Sequence, residues 1–399
     1  MFKHTALVVS LGLAFGFAAG SASAQQNYPL PTPAQQAIVE KDTSRKFGDA
    51  PADGGPLAAG LSPALEPAAI DKALRKVADW QLERTMRHLD KIWTSAVLFT
   101  GFMAASEATG DPKYRNAMLT MAKGFNWELR TPYPNADDIS VAQTYLELYA
   151  LDPSPEKLAA TRAQLDILIK LKTLKPGDDR LPWWWCDALF MAPPVWLKMY
   201  QATGERKYLD YVHEQWQKTY DLLYDKQEHL YARDASYIGK TEPNGKKIFW
   251  SRGEGWVLGG LARSIDYIPA DDPKRPFYIQ QLREMSAAVA KIQGPDGLWH
   301  AGLLDPATYP LPEISGSALF VYGMAYGVNK GYLDEKTYRP VIERAWAGIL
   351  KSVYEDGRLG GIQQTGAEPA FYRPASSYNY GVGGFLLAAA ELKKMAAKK

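Results

Sequence analysis

The chain has 399 residues, with 46 Lys and Arg against 44 Asp and Glu, 5 His, 1 Cys, 12 Trp, 23 Tyr and 13 Phe. Hydrophobic residues at 46% support a large buried core rather than disorder, and a formal charge of +2 lacks the basic excess of a nucleic-acid binder. One Cys excludes an internal disulfide, and no Cys/His spacing matches a structural zinc site, so the aromatic load points to sugars more than to redox chemistry or metals.

Residues 1–24 begin with Lys3 and His4, continue through an apolar stretch over 6–19, and end Ser21-Ala22-Ser23-Ala24. A positive start, a short apolar middle and an Ala-x-Ala end predict a secretory signal peptide. The stretch is short for a transmembrane helix, and no Cys stands at the cleavage point to take a lipid anchor. The expectation is an exported protein, periplasmic or secreted, with no membrane insertion after cleavage. Residues 25–66 are rich in Pro, Gly and Ala and predict an extended or loosely packed lead-in, followed by one domain over 67–399.

From residue 67 the pattern is helical and punctuated. Thr109-Gly110-Asp111-Pro112 and Thr203-Gly204-Glu205 each supply a Gly where a helix ends and an acid where the next begins, and Gly331 with Asp334 is a third variant. These breaks predict about twelve helices, near 68–88, 94–108, 112–128, 137–150, 155–171, 187–202, 206–222, 253–267, 274–292, 314–330, 335–352 and 379–395. Five of them (112–128, 155–171, 206–222, 274–292 and 335–352) are amphipathic, as outer helices with one wet face are. Alternating segments such as Gly255-Trp256-Val257-Leu258-Gly259-Gly260 and Tyr380-Gly381-Val382-Gly383-Gly384-Phe385 are small and apolar all round, as inner helices are. The fold class expected is therefore all-α, an (α/α)6 toroid of six helix hairpins. An open solenoid fits less well, because the repeats are irregular in length.

In such a ring the inner helices all start at one end. The long connections 129–136, 172–186, 223–252, 293–313 and 353–378 precede inner helices and share that end, which is the expected functional face. Reading the openings in order gives Trp93, Asp137-Asp138, Asp187, Arg252, Glu313 and Tyr378. Two acids from two helices suit glycosidic chemistry, one as acid and one as base or charge stabiliser, although one of the Asp137-Asp138 doublet reads as a helix cap. Asp187 sits within Trp183-Trp184-Trp185-Cys186-Asp187-Ala188-Leu189-Phe190-Met191, surroundings that desolvate a carboxylate and favour its protonated form. Trp250-Ser251-Arg252-Gly253-Glu254-Gly255-Trp256 offers rings to stack on a sugar and an Arg fork for a carboxylate, although Arg252 pairing with Glu254 or Asp187 is the structural alternative. Cys186 reads as a small buried thiol, since no His base is evident.

Four segments in order resemble the signatures of glycoside hydrolase family 105, the unsaturated rhamnogalacturonyl hydrolases and related unsaturated glucuronyl hydrolases. They are Asn135-Ala136-Asp137-Asp138-Ile139, the run from Trp185 to Met191, the run from Trp250 to Trp256, and Glu313-Ile314-Ser315-Gly316-Ser317-Ala318. The resemblance implies an (α/α)6 barrel and an acidic oligosaccharide substrate with a 4,5-unsaturated uronic acid at its non-reducing end, most simply unsaturated galacturonyl-rhamnose. It implies Asp187 as the acid/base that hydrates the vinyl ether and Asp137 as the second essential aspartate. Trp93, Trp185, Met191, Arg233, Trp250, Arg252, Trp256 and Glu313 become the expected substrate-binding set, with no metal or organic cofactor. Leu230-Tyr231-Ala232-Arg233-Asp234 departs from the family by carrying Arg233 where many relatives have His. The competing readings are an inverting glycosidase acting on saturated uronides and a non-catalytic glycan-binding protein.

Overall fold

Proline and glycine set the helix ends. The computed structural model describes residues 48–130, 135–171 and 179–398. The expected signal peptide and the first part of the lead-in lie outside the described residues. In chain order the helices are α1 (Pro67–Met86), α2 (Trp93–Thr109), α3 (Pro112–Gly124), α4 (Ala136–Ile139), α5 (Ala142–Leu151), α6 (Pro155–Leu168) and α7 (Ala188–Met191). They continue as α8 (Pro193–Thr203), α9 (Arg206–Leu223), α10 (Ser251–Ser264), α11 (Arg275–Lys291), α12 (Ile314–Asn329), α13 (Glu335–Leu350) and α14 (Asn379–Ala396). Helices α1, α3 and α6 start on a proline, whose missing N–H would have no helical partner there anyway. Helices α2 and α8 stop at Gly110 and Gly204, with φ of 69° and 72°, the left-handed conformation that glycine takes without penalty.

Contacts run from α2 to α5, α5 to α8, α8 and α7 to α10, α10 to α12, α12 to α14, and α14 back to α2. The inner ring is therefore closed, and the toroid read from the sequence is the fold found. Every residue of α10 is buried, as an inner helix requires. By contrast α9 buries Tyr208, Leu209, Val212, Trp216, Thr219 and Leu223 on one stripe and leaves the other face to water. Small residues let the inner helices approach: a Cβ on Gly383 of α14 would lie 2.6 Å from the Val97 carbonyl oxygen of α2. Two inner passes differ from the sequence expectation, because each is broken near its start. Pro193 and Pro194 interrupt the backbone ladder between α7 and α8, and Ser140 and Val141 separate α4 from α5.

The later part of the lead-in, from Gly48, is tied to the ring by backbone hydrogen bonds. Strand β1 (Gly48–Asp49) pairs antiparallel with β4 (Ser377–Tyr378). The Ala58 N–H then donates to the Val353 carbonyl, and Glu355 N–H donates to the Pro56 carbonyl. This segment straps the 353–378 connection against the mouth of the ring. A hairpin, β2 (Tyr224–Asp225) with β3 (Leu230–Tyr231), carries Arg233 just beyond its end. Among the described residues no helix is long and apolar enough to cross a membrane.

Candidate active site

The inner helices open at one end, and their connections are stitched together there. The Cys186 N–H donates to the Arg233 carbonyl at 2.8 Å, and isolated bridges join Trp185 to Asp234 and Trp250 to Gly302. The chain thereby brings Asp187, at the start of α7, beside Arg233, from beyond β3.

Arg233 Nε lies 3.4 Å from Asp187 Oδ2, and its Nη1 lies 2.8 Å from Asp234 Oδ2. Burial works against the Arg233 charge, but Asp187 and Asp234 hold its pKa above the ordinary value. Asp187 occupies the N-cap position of α7 without making a side-chain cap bond, so capping does not account for it. Its side chain keeps 11% exposure.

Asp137 opens the neighbouring inner pass. Burial, then the Asp187 carboxylate, then the Asp138 carboxylate push its pKa up to about 7, against the opposing charges of Arg233 and Arg130. The sequence looked to Asp187 for a desolvated acid; at Asp137 two carboxylates add their charges to the effect of burial. Neither aspartate of the doublet is the helix cap: Asn135 accepts from the Asp138 N–H, and Asp138 pairs with Arg130 at 2.7 Å.

Several residues expected to bind substrate are buried, and geometry gives them other work. Arg252 is fully buried, its guanidinium 4.2 Å from the centre of the Trp250 ring and 4.9 Å from that of Tyr380. Its Nη1 and Nη2 donate to the carbonyls of Gln363 and Gln364, at 3.0 and 2.8 Å. Those bonds leave it no exposed fork for a carboxylate, and it pairs with neither Glu254 nor Asp187. Glu313 is also fully buried and caps α12, accepting from the N–H groups of Ser315, Gly316 and Gln363. Trp256 is buried among Trp93, Phe190 and Tyr380, and Met191 packs in the core. Trp250 donates its ring N–H to the Gln363 side chain. Trp185 is 4% exposed and lies against Trp184, with ring centres 4.9 Å apart.

The tryptophans of this face with part of a ring exposed are Trp93 and Trp184. Trp93 stacks on Tyr380 at 5.2 Å, and Arg233 lies over Trp184 at 5.4 Å. Sequence reasoning missed Trp184, Tyr380, Glu254 and the Gln363-Gln364 pair. Tyr380 stands in the first turn of an inner helix, so the rule that found Trp93 would have found it. Cys186 is fully buried, and burial pushes its thiol well above the ordinary range, which leaves no thiolate for nucleophilic work. Among the described residues no group of three or more His, Cys, Asp or Glu is placed to hold a metal ion.

A cavity of about 980 Å³ opens at the other end of the ring, where the inner helices finish. Its carboxylates are already matched. Glu147 accepts from both Lys198 and Arg263 at 2.6 Å, Asp266 pairs with Lys330, and Glu391 with Lys394. Burial alone would raise the Glu147 pKa, yet those two cations hold it below the ordinary range. Acid/base work needs a proton held near neutrality, and that condition is met at the Asp137 end.

The profile of Glycosyl Hydrolase Family 88 matches residues 68–396. A curated relative, an "Unsaturated 3S-rhamnoglycuronyl hydrolase" of Formosa agariphila, is 38% identical over 82% of this chain and 91% of its own. A solved structure described as a glycosyl hydrolase family 88 protein from Bacteroides vulgatus is 32% identical, covers 82% of this chain and 98% of its own, and superposes with a TM-score of 0.76. A possible member of family 105 from Salmonella enterica, 22% identical, shares the fold with a TM-score of 0.69, covering 82% of this chain and 94% of its own.

Proposed function

The chain belongs to Glycosyl Hydrolase Family 88, and from that premise we propose that it removes a 4,5-unsaturated uronic acid from the non-reducing end of lyase-generated oligosaccharides. The observation that carries this reading is the pair Asp137 and Asp187. Their charges act on one another, and one proton is held near neutrality at Asp137.

The chemistry asked of the pair is hydration of a vinyl ether. A proton from the pair adds to C4, with Asp187 delivering it. Water adds at C5 and gives its spare proton back to the same carboxylate, so the pair ends as it began. The C5 hemiketal then opens and releases the shortened saccharide. Arg233, in contact with Asp187, sets the charge around the incoming carboxylate group of the sugar. Trp93 and Trp184 present the ring surface on which a sugar stacks.

The name of the Formosa agariphila relative supports a uronyl residue joined to rhamnose. Glucuronic and galacturonic acids differ only at C4, and a C4=C5 double bond erases that difference. What separates unsaturated galacturonyl-rhamnose from its glucuronyl counterpart is therefore the anomeric linkage and the sugar beyond it. Loss of the unsaturated uronyl absorbance, measured on lyase digests of rhamnogalacturonan and of a glucuronic acid–rhamnose polysaccharide, tests the reading. No loss on either digest, with turnover of a saturated uronide instead, overturns it.

A further inference from the structure

Behind Asp187 lies a third carboxyl that the proposed reaction does not use. Glu254 stands in the first turn of α10 and is fully buried. Its Oε1 accepts the Tyr231 N–H at 2.8 Å, while Oε2 is buried with no hydrogen-bond partner among the described residues. The residues facing it are Asp187 and Cys186 from the start of α7, and Tyr231 and Tyr224 from the hairpin. No Lys or Arg among the described residues forms an ion pair with it.

A buried carboxylate with a single N–H donor and no cation is costly in its charged form. The acid form needs no counter-ion and still accepts from Tyr231. We propose that Glu254 is a positioning residue that works as an uncharged carboxylic acid, anchoring the end of β3 at Tyr231 so that Arg233, two residues on, meets Asp187. The connection runs through atoms already described. Glu254 holds Tyr231, two residues further the chain reaches Arg233, its carbonyl accepts from Cys186, and its side chain meets Asp187. Burial and the nearby Asp187 charge push the Glu254 pKa well above the usual carboxylate range, against the Tyr231 N–H, in keeping with this role. An ionised Glu254 would instead set a second negative charge behind Asp187 and compete for the field of Arg233.

The inference rests on the reading of Asp187 as a catalytic group, but its first test is independent of substrate. At about pH 9, roughly two units above the Asp137 pKa, Asp137 and the exposed carboxyls are ionised. The infrared spectrum of the intact protein should still show a protonated-carboxyl C=O stretch, and Glu254→Gln should remove it. A wild-type spectrum without that band, or a band that survives in Glu254→Gln, overturns the proposal whatever the enzyme hydrolyses. Kinetics supply the second test. Gln has the shape and neutrality of the acid, so Glu254→Gln should keep kcat within about twofold and leave the pH limbs in place. Glu254→Ala, which frees the Tyr231 N–H, should lower kcat roughly tenfold or more and shift the limb set by Asp137, with KM little changed. A shifted pH profile in Glu254→Gln, or an unaltered one in a folded Glu254→Ala, overturns the assignment.

Discussion

Arg233 Nε lies 3.4 Å from Asp187 Oδ2, and this contact joins two connections that begin different inner helices. It makes the charge at the site a three-body matter. Asp187 raises the Asp137 pKa, Arg233 lowers it, and Arg233 is itself divided between Asp187 and Asp234. The proton held at Asp137 is therefore tuned by a side chain two residues past a short hairpin.

Removing that cation should move the pH profile in a defined direction. Arg233 favours the ionised form of Asp137, so Arg233→Ala raises its pKa further, and the protonated acid persists to higher pH. The alkaline limb of kcat/KM should shift upward, while kcat at neutral pH falls because Asp187 loses its partner. Arg233→Lys, which keeps the charge, should leave the limb near its wild-type place. Rate measurements across pH on one unsaturated disaccharide check both; a downward shift for Arg233→Ala contradicts the electrostatic account.

The two aspartates should differ in how their removal is felt. Asp187→Asn deletes the group to which the proposed reaction assigns both proton transfers, and should lower kcat by roughly 10²–10⁴-fold with KM little altered. Asp137→Asn imitates the protonated acid, so it preserves shape but abolishes the titration near pH 7. Its residual rate should be less dependent on pH than wild type. Circular dichroism should show both variants folded, since neither side chain caps its helix.

Stability should carry the mark of Asp137 as well. Its folded pKa of about 7 lies above the ordinary Asp value, so the native state binds a proton more tightly than the unfolded chain. That contribution is complete below the unfolded pKa near ~4 and is lost as pH rises through about 7. Glu242, buried and likewise pushed up to about 7, adds a slope of the same sign. Thermal melts of Asp137→Asn should coincide with wild type near pH 4 and lie above it near pH 8, by the equivalent of a few kcal/mol at most. A variant less stable than wild type at pH 8 would contradict this.

The toroid was legible because its signals are local and repeated. Gly110 and Gly204 end inner helices, Pro112 and Pro155 begin outer ones, and the stretches around Gly259 and Gly383 leave no polar face. Asp137 and Asp187 were found by the rule that inner-helix openings converge. The raised pKa of Asp137 was hidden, since it depends on burial and on Asp187 and Arg233, both far from it along the chain. The partners of Arg252 were hidden for another reason: backbone carbonyls of Gln363 and Gln364 carry no signature in side-chain chemistry. Glu313 looked like a site residue because it opens an inner helix, and it is the cap of that helix.

Arg252 gives the sharpest separation between a binding role and a building role. If it gripped the substrate carboxylate, Arg252→Met would raise KM and leave the protein as stable as before. The structure puts both guanidinium amino groups on carbonyls of the 363–364 segment, between Trp250 and Tyr380, with no exposure. Met fills much of the volume but strands the buried Gln364 carbonyl, at about 1–3 kcal/mol, and leaves that of Gln363 with the Tyr380 hydroxyl alone. The expected outcome is a lower Tm, with KM for the folded fraction within about twofold of wild type. The damage should also spread along the segment. Tyr380 donates its hydroxyl to the same Gln363 carbonyl, and Glu313 holds the Gln363 N–H. Hydrogen exchange at Gln363 should therefore quicken in Arg252→Met while that of the Tyr231 N–H, held by Glu254 at another part of the mouth, stays slow.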